Sequence, residues 1–416
     1  VTPVSDGMAC RCMQPLKTHE FHYWKSCNPG SDFQVKKVSD ESIGMAGYNT
    51  EKLYAAFMHI YFYGNEEFGM NFIKKSCEYA AKKHWDNIAK PLNGLGDFED
   101  IIVKIAGIQN TEHVDISKKA LVIMCADNGI VEENVSQSGQ DVTAIVAANM
   151  ASRKSSVCLM AGYTGAQVIP VDIGIACETI PSGKKIDDMD GILHKKISHG
   201  TKNFLKEHAM TDKQCIKAIE TGKEIVKMCS EKGINIIATG EMGIGNTTTS
   251  AALAAILLDE KPENVTGYGA GLTNEGLKNK TETVRKACEM YSGYKDDALK
   301  LLSCIGGLDI AGLAGVFIGG AEYGIPVVID GLISGIAALM SPGTKKYMIA
   351  SHAGKEPALK KILTHLELKP VIDANLALGE GSGAVMVFPL LDMAMSVYNE
   401  SNTFENIDME AYECLH

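Results

Sequence analysis

The chain has 416 residues, 45% of them hydrophobic and 22% charged, with a formal charge of −11. That length buries a large core, in one big domain or two modest ones. The acidic balance argues against a nucleic-acid-binding surface, although not against a local basic site, and no apolar run is long enough to span a membrane.

The opening residues, VTPVSDGMACRCMQ, lack the basic-then-apolar order of a signal peptide. The twelve Cys are scattered singly, several in apolar contexts such as those of Cys125 and Cys158. This pattern fits reduced, buried thiols and a cytoplasmic protein. Residues 1–69 differ from the rest. They are rich in aromatics and His, and they bring Cys10, Cys12, His19, His22 and Cys27 close together. No CxxC pair is present and the spacing is irregular, so no metal site is expected there. Met70 begins a helical stretch. Segment 1–69 reads as a leader of doubtful nativeness, with translation expected to start at Met70.

PLNGLG (residues 91–96) is a turn, and FEDIIVKIAGIQ follows with helical spacing. Leu121 to Ala126 is a buried strand that stops at Asp127. A polar loop then leads into a helix near Val142. Gln167 to Val171 is a second strand, stopping at Asp172. Residues 177–200 read as a loop, and Lys213 to Cys229 as a helix.

The central stretch, INIIATGEMGIGNTTTSAALAAILL (234–258), reads as strand, glycine-rich loop and helix. Gly240, Gly243 and Gly245 let the backbone turn and approach a ligand. Asn246 or Thr247 can cap the helix. Its start presents free N–H groups and partial positive charge, which suit a phosphate. Glu241, placed in the loop, suits instead a centre that is or becomes cationic. Residues 267–280 form another glycine-punctuated loop, and 281–303 are helical. Residues 304–324 read as a tightly packed buried helix. Ile325 to Ile329 is a strand ending at Asp330, and Tyr347 to Ala350 a shorter one ending at Ser351 and His352. LGEGSGA (378–384) leads into a helix. Strands alternating with helices predict an α/β fold, a mostly parallel sheet with ligands at its carboxyl edge.

Several chemistries are disfavoured. GxxxxGK followed by Ser or Thr is absent, and so is an early GxGxxG with an acid about 20 residues on. No HExxH or His/Cys cluster lies outside the leader, so no metal and no cofactor are expected. Two glycine-framed carboxylates remain, Glu241 and Glu380. Such a pair can serve as general base and as stabiliser of an oxocarbenium-like centre. For Glu380 the spacing fits equally well a carboxylate interacting with a helix dipole.

GEMGIGNTTTSAAL, GGLDIAGLAG, IPVVIDGLISGIAAL, SHAGKEPAL and LGEGSGAV, in this order, resemble nicotinate-nucleotide–dimethylbenzimidazole phosphoribosyltransferases. The similarity runs from about Cys77 to Phe404. Departures are Leu92 and Asn93 where Pro and Gly are frequent, Asp309 where Glu is usual, and Leu332 where Phe is usual. The resemblance implies that nicotinate mononucleotide gives its phosphoribosyl group to 5,6-dimethylbenzimidazole or a related base, yielding α-ribazole 5'-phosphate and nicotinate for the lower ligand of cobalamin. It implies Glu380 as catalytic base and Glu241 beside the ribose. Lys280 and glycine-rich backbone would meet the phosphate, Gly243, Gly245, Asn246, Thr247, Asp330, Gly379 and Gly381 would bind substrate, and Ser136 and Gln140 would border the base pocket. It also implies a homodimer. The sheet would have Rossmann-like order with helices on both faces (111–355), beside a smaller helical domain built from both chain ends (70–110 and 356–416). Competing readings are a nucleoside phosphorylase or N-glycosidase using phosphate or water as acceptor, and a nucleotide-binding regulatory protein without turnover.

Overall fold

A computed structural model describes residues 66–177, 191–269 and 271–412 without a break, and short stretches between residues 2 and 60. The chain divides into two compact units. One comprises Val1–Val114 with Glu400–His416, the other Asp115–Asn399. Residues 356–399, expected with the smaller domain, therefore group with the larger unit.

In the smaller unit, helices Glu66–Asn87 and Asp97–Gln109 pack together, burying Trp85, Ile102 and Ile105. Both chain ends meet here: Ala89 N donates to Asn402 O (2.9 Å) and Phe404 N to Asn87 O (3.0 Å). The first helix begins at Glu66, not at Met70, and Phe68 in its first turn is buried. Cys10, Cys12, His22 and Cys27 lie outside the described residues.

The larger unit is built on six parallel strands: β1 (Lys119–Ala126), β2 (Gln167–Gly174), β3 (Leu193–His194), β4 (Ile236–Met242), β5 (Val327–Ile329) and β6 (Met348–Ala350). Their spatial order is β3-β2-β1-β4-β5-β6. This is the doubly wound order, and it reverses between β1 and β4. All eight residues of β1 are buried, as a strand covered on both faces must be. On the face of Met124, helix Leu308–Tyr323 packs against the sheet. A Cβ on Gly312 would come 3.0 Å from the Met124 sulfur. Helix Asp212–Glu231 crosses that helix in backbone contact, because a Cβ on Gly222 would stand 2.0 Å from Gly312 O. The buried, glycine-rich helix read from residues 304–324 is thus present, and its small residues let the two helices touch.

Three local expectations are corrected. Gly240 and Glu241 are not loop residues: β4 continues through them, with Gly240 opposite Ile123 and Glu241 opposite Met124. Pairing inside a central strand overrides glycine's preference for turns. Lys280 is not at the end of a loop. Helix Asn274–Tyr291 starts six residues earlier, with the Thr273 hydroxyl accepting from Gly276 N (3.1 Å). Within 177–200 the structure has β3, whose two residues carry no periodicity to detect. No helix among the described residues is long and apolar enough to cross a membrane.

Candidate active site

The carboxyl ends of β1 and β4, where the strand order reverses, are the natural ligand position in such a sheet. The chain reaches it with unusually close backbone packing. Gly243 lies against Ala126 at the end of β1, where a Cβ would sit 1.9 Å from the Ala126 carbonyl oxygen. Gly245, at φ +95°, closes the turn and is the N-cap of helix Asn246–Leu257. The capping role expected of Asn246 or Thr247 is therefore filled by Gly245. Its backbone turns the chain directly, and the two side chains become available for other contacts.

Those contacts diverge. The Asn246 amide donates to Glu241 and, at 3.1 Å, to Asp309. Thr247, the next residue, accepts from the Lys280 ammonium at 2.8 Å. Lys280 is only 1% exposed, and burial pulls its ammonium down to about 8, opposed by Glu356. Lys280, Thr247, Gly245 and Ser136 line a cavity of about 60 Å³. Cationic side chain, helix start and backbone N–H groups converge there, as an anion requires.

On the other side, burial and the neighbouring Asp309 raise the Glu241 carboxyl to about 8. Burial raises Asp309 to about 6, against the hydrogen bonds it accepts from Asn246 and Ile310 N. Glu380 arrives from a distant part of the chain. Gly379, Glu380 and Gly381 are three consecutive residues of positive φ, at +79°, +61° and +91°. The loop lies directly on β4: a Cβ on Gly240 would meet Glu380 O at 2.5 Å, and one on Gly379 would meet Glu241 Oε1 at 3.1 Å. The flanking glycines are needed at these contacts. Oε2 of Glu380 is buried and accepts no hydrogen bond. Burial, then Asp330, raises the Glu380 carboxyl above its ordinary range. A carboxylate with a raised pKa and an unused oxygen is a proton acceptor waiting for a donor.

The other expected residues are less central. Asp330 is buried and engaged with backbone: Oδ2 accepts from Gly381 N (3.2 Å) and Oδ1 from Ala384 N (3.0 Å). It holds the Glu380 loop. Gln140 does not share the cavity of Ser136; it lines a separate polar one of about 490 Å³, with Gly129, His199 and Lys202. Asn128 is a site residue that spacing alone does not single out. Its side-chain oxygen accepts from Thr249 (2.8 Å) and it also interacts with Asp309. Its place two residues past the end of β1 is the signal the sequence offers.

The phosphoribosyltransferase family model matches residues 70–408. Among curated proteins, the nicotinate-nucleotide–dimethylbenzimidazole phosphoribosyltransferase of Clostridium acetobutylicum is 41% identical over 351 residues, covering 83% of this chain and 97% of the relative. The enzyme of that name from Acetivibrio thermocellus is 44% identical over 338 residues, covering 80% and 93%. Among solved structures, CobT from Thermus thermophilus superposes with a TM-score of 0.75 at 32% identity, covering 81% of this chain and 100% of that one.

Proposed function

The chain belongs to the nicotinate-nucleotide–dimethylbenzimidazole phosphoribosyltransferase family, and from that premise we propose how its residues divide the reaction. The enzyme transfers the phosphoribosyl group of nicotinate mononucleotide to 5,6-dimethylbenzimidazole, a step in building the lower ligand of cobalamin. The phosphate is held by Lys280 with the helix start at Gly245–Thr248. A phosphate opposite Lys280 also restores the ammonium that burial depresses.

Glu241 stands beside the ribose and the pyridinium it carries. Burial and Asp309 favour its neutral form. A bound pyridinium supplies the opposite charge, so the carboxylate is regenerated as substrate enters. It then faces a centre that gains positive charge as the glycosidic bond breaks. The leaving group departs with a neutral ring nitrogen, as nicotinate, so that bond needs no general acid.

Glu380 accepts the benzimidazole N–H proton as the other ring nitrogen attacks the anomeric carbon. The observation that carries this is its buried, unpartnered Oε2, on a loop seated against Glu241. Attack from the face opposite the leaving group inverts the configuration from β to α. Related azoles with the same N–H and ring nitrogen satisfy the same chemistry, and the active species is proposed to be a cytoplasmic homodimer. The test is product analysis: incubation with nicotinate mononucleotide and dimethylbenzimidazole should give α-ribazole 5'-phosphate and nicotinate. Ribose 5-phosphate alone would favour an N-glycosidase, and binding without any product a regulatory protein.

A further inference from the structure

Glu380 occupies a backbone conformation that L-residues avoid, with φ +61° between two positive-φ glycines. Such strain persists only where surrounding contacts over-determine it. Helix Ser382–Glu400 follows immediately, so its first N–H groups need acceptors. Asp330, at the exit of β5, supplies them: its two oxygens take Gly381 N and Ala384 N, one on each side of the turn. His352, two residues past the end of β6, is the second contact. A Cβ on Gly383 would come within 2.0 Å of its Nδ1, so the imidazole lies against the loop backbone. Ser351 orients that ring, its hydroxyl 2.9 Å from Nδ1 and 3.3 Å from Asp330 O, to which it donates. Asp330 and His352 are 3% and 5% exposed. Burial raises the Asp330 carboxyl and lowers the His352 imidazole, while each group's charge favours the charged form of the other.

We propose that Asp330 and His352 are a positioning pair for Glu380, acting on the reaction through the loop that carries it. Neither side chain has to touch substrate. The carboxylate draws the two ends of the Gly381–Ala384 turn together, and the imidazole fills the space that a side chain on Gly383 would need. The pair thereby fixes where the unpartnered Glu380 oxygen stands. This rests on the assignment of Glu380 as proton acceptor.

A double-mutant cycle tests it. Asp330→Asn keeps the shape but offers an amide N–H₂ to one of the two backbone N–H groups. In the full-length enzyme it should lower kcat about tenfold or more, with KM for nicotinate mononucleotide changed less than about threefold. In a Glu380→Gln background the same substitution should have almost no further effect on kcat, because its target is already gone. Undiminished loss in that background would overturn the proposal and make Asp330 a general structural or substrate-contacting residue. If Asp330→Asn does not fold, His352→Ala serves instead: it leaves the carboxylate clamp and should show the same vanishing effect, at smaller amplitude. An effect confined to KM would also overturn it. Failure of the underlying reading looks different, since Glu380→Gln would then itself turn over at the normal rate.

Discussion

The carboxyl edge of the sheet carries two kinds of carboxylate. Asp127 and Asp330 leave strand ends and Asp172 lies within β2, which runs past the expected stop at Val171; all three spend their oxygens on nearby donors, Asp172 also pairing with the Lys196 ammonium. Asp127 accepts from the Thr143 hydroxyl (2.6 Å) and Ala176 N (2.8 Å), and Asp172 from Ile175 N (3.0 Å). Glu241 and Glu380 are one methylene longer and flanked by glycine. The Glu380 loop lies on the strand that carries Glu241, and one oxygen of Glu380 stays unpaired. The three aspartates are almost fully buried, whereas Glu241 and Glu380 are half-buried, so the second kind is also the more accessible one. Glu380 differs further in keeping an oxygen whose hydrogen-bonding capacity is not already used.

Removing each kind of carboxylate in turn should separate their roles. Glu380→Gln keeps volume and removes the proton acceptor, so kcat should fall by roughly 10²–10⁴ while substrate binding survives. Glu241→Gln should slow transfer and hydrolysis alike, since both pass through a positive ribose centre. Normal turnover by the first variant with a dead second one would exchange the two roles. If Glu380 is the proton acceptor proposed, it works ionised, and because its pKa is raised the wild-type rate should fall on the acid side at a higher pH than an ordinary carboxylate gives. A kcat profile flat down to the usual carboxylate range would contradict this.

Lys280→Ala should raise KM for nicotinate mononucleotide by an amount worth about 1.5–3 kcal/mol, the range for a hydrogen bond to a charged group. An unchanged KM would leave the phosphate to the helix start alone. Asp127→Asn should behave as scaffold: stability drops by about 1–3 kcal/mol through an unmet donor, measured by denaturant unfolding, with kcat of the folded fraction kept. A catalytic defect without destabilisation would erase the distinction between the two kinds.

The smallest effect is on stability and has the opposite sign. Glu241 has a folded pKa near 8 against an ordinary 4.5, so the folded state holds more protons than the unfolded between these values. Its contribution to stability is therefore present at low pH and lost as pH rises toward 8. Glu241→Gln removes that loss, and its melting temperature should exceed the wild type's by a few degrees at pH 8 and much less at pH 5. Equal differences at both pH values would mean that Glu241 is not held neutral.

Much of the architecture is legible in the sequence because buried parallel strands are apolar runs that end at polar residues. Leu121–Ala126 and the strand ending at Asp330 announce themselves that way. β3 does not, since two residues leave no pattern. Glu241 reads as loop because glycine neighbours signal turns. Only the structure shows that Gly240 lacks a side chain for the sake of the Glu380 carbonyl packed on it. Nor does the sequence place Asn246 between Glu241 and Asp309, or Gln140 apart from Ser136. The Gly240–Glu380 and Asn246–Asp309 contacts join segments far apart in the chain, and spacing carries no record of them.

Asn246 and Thr247 are consecutive, yet one reaches the acidic half of the site and the other the basic half. Both halves are thus tied to adjacent residues in the first turn of one helix, which couples their spacing to that helix. With the phosphate at Lys280 and the cationic centre at Glu241, as proposed, the site selects a ligand by the separation of its anion and its cation. A nucleotide with its phosphate on the 3' rather than the 5' carbon presents the same charges at another separation. In competition with nicotinate mononucleotide it should inhibit far more weakly than the 5' isomer binds.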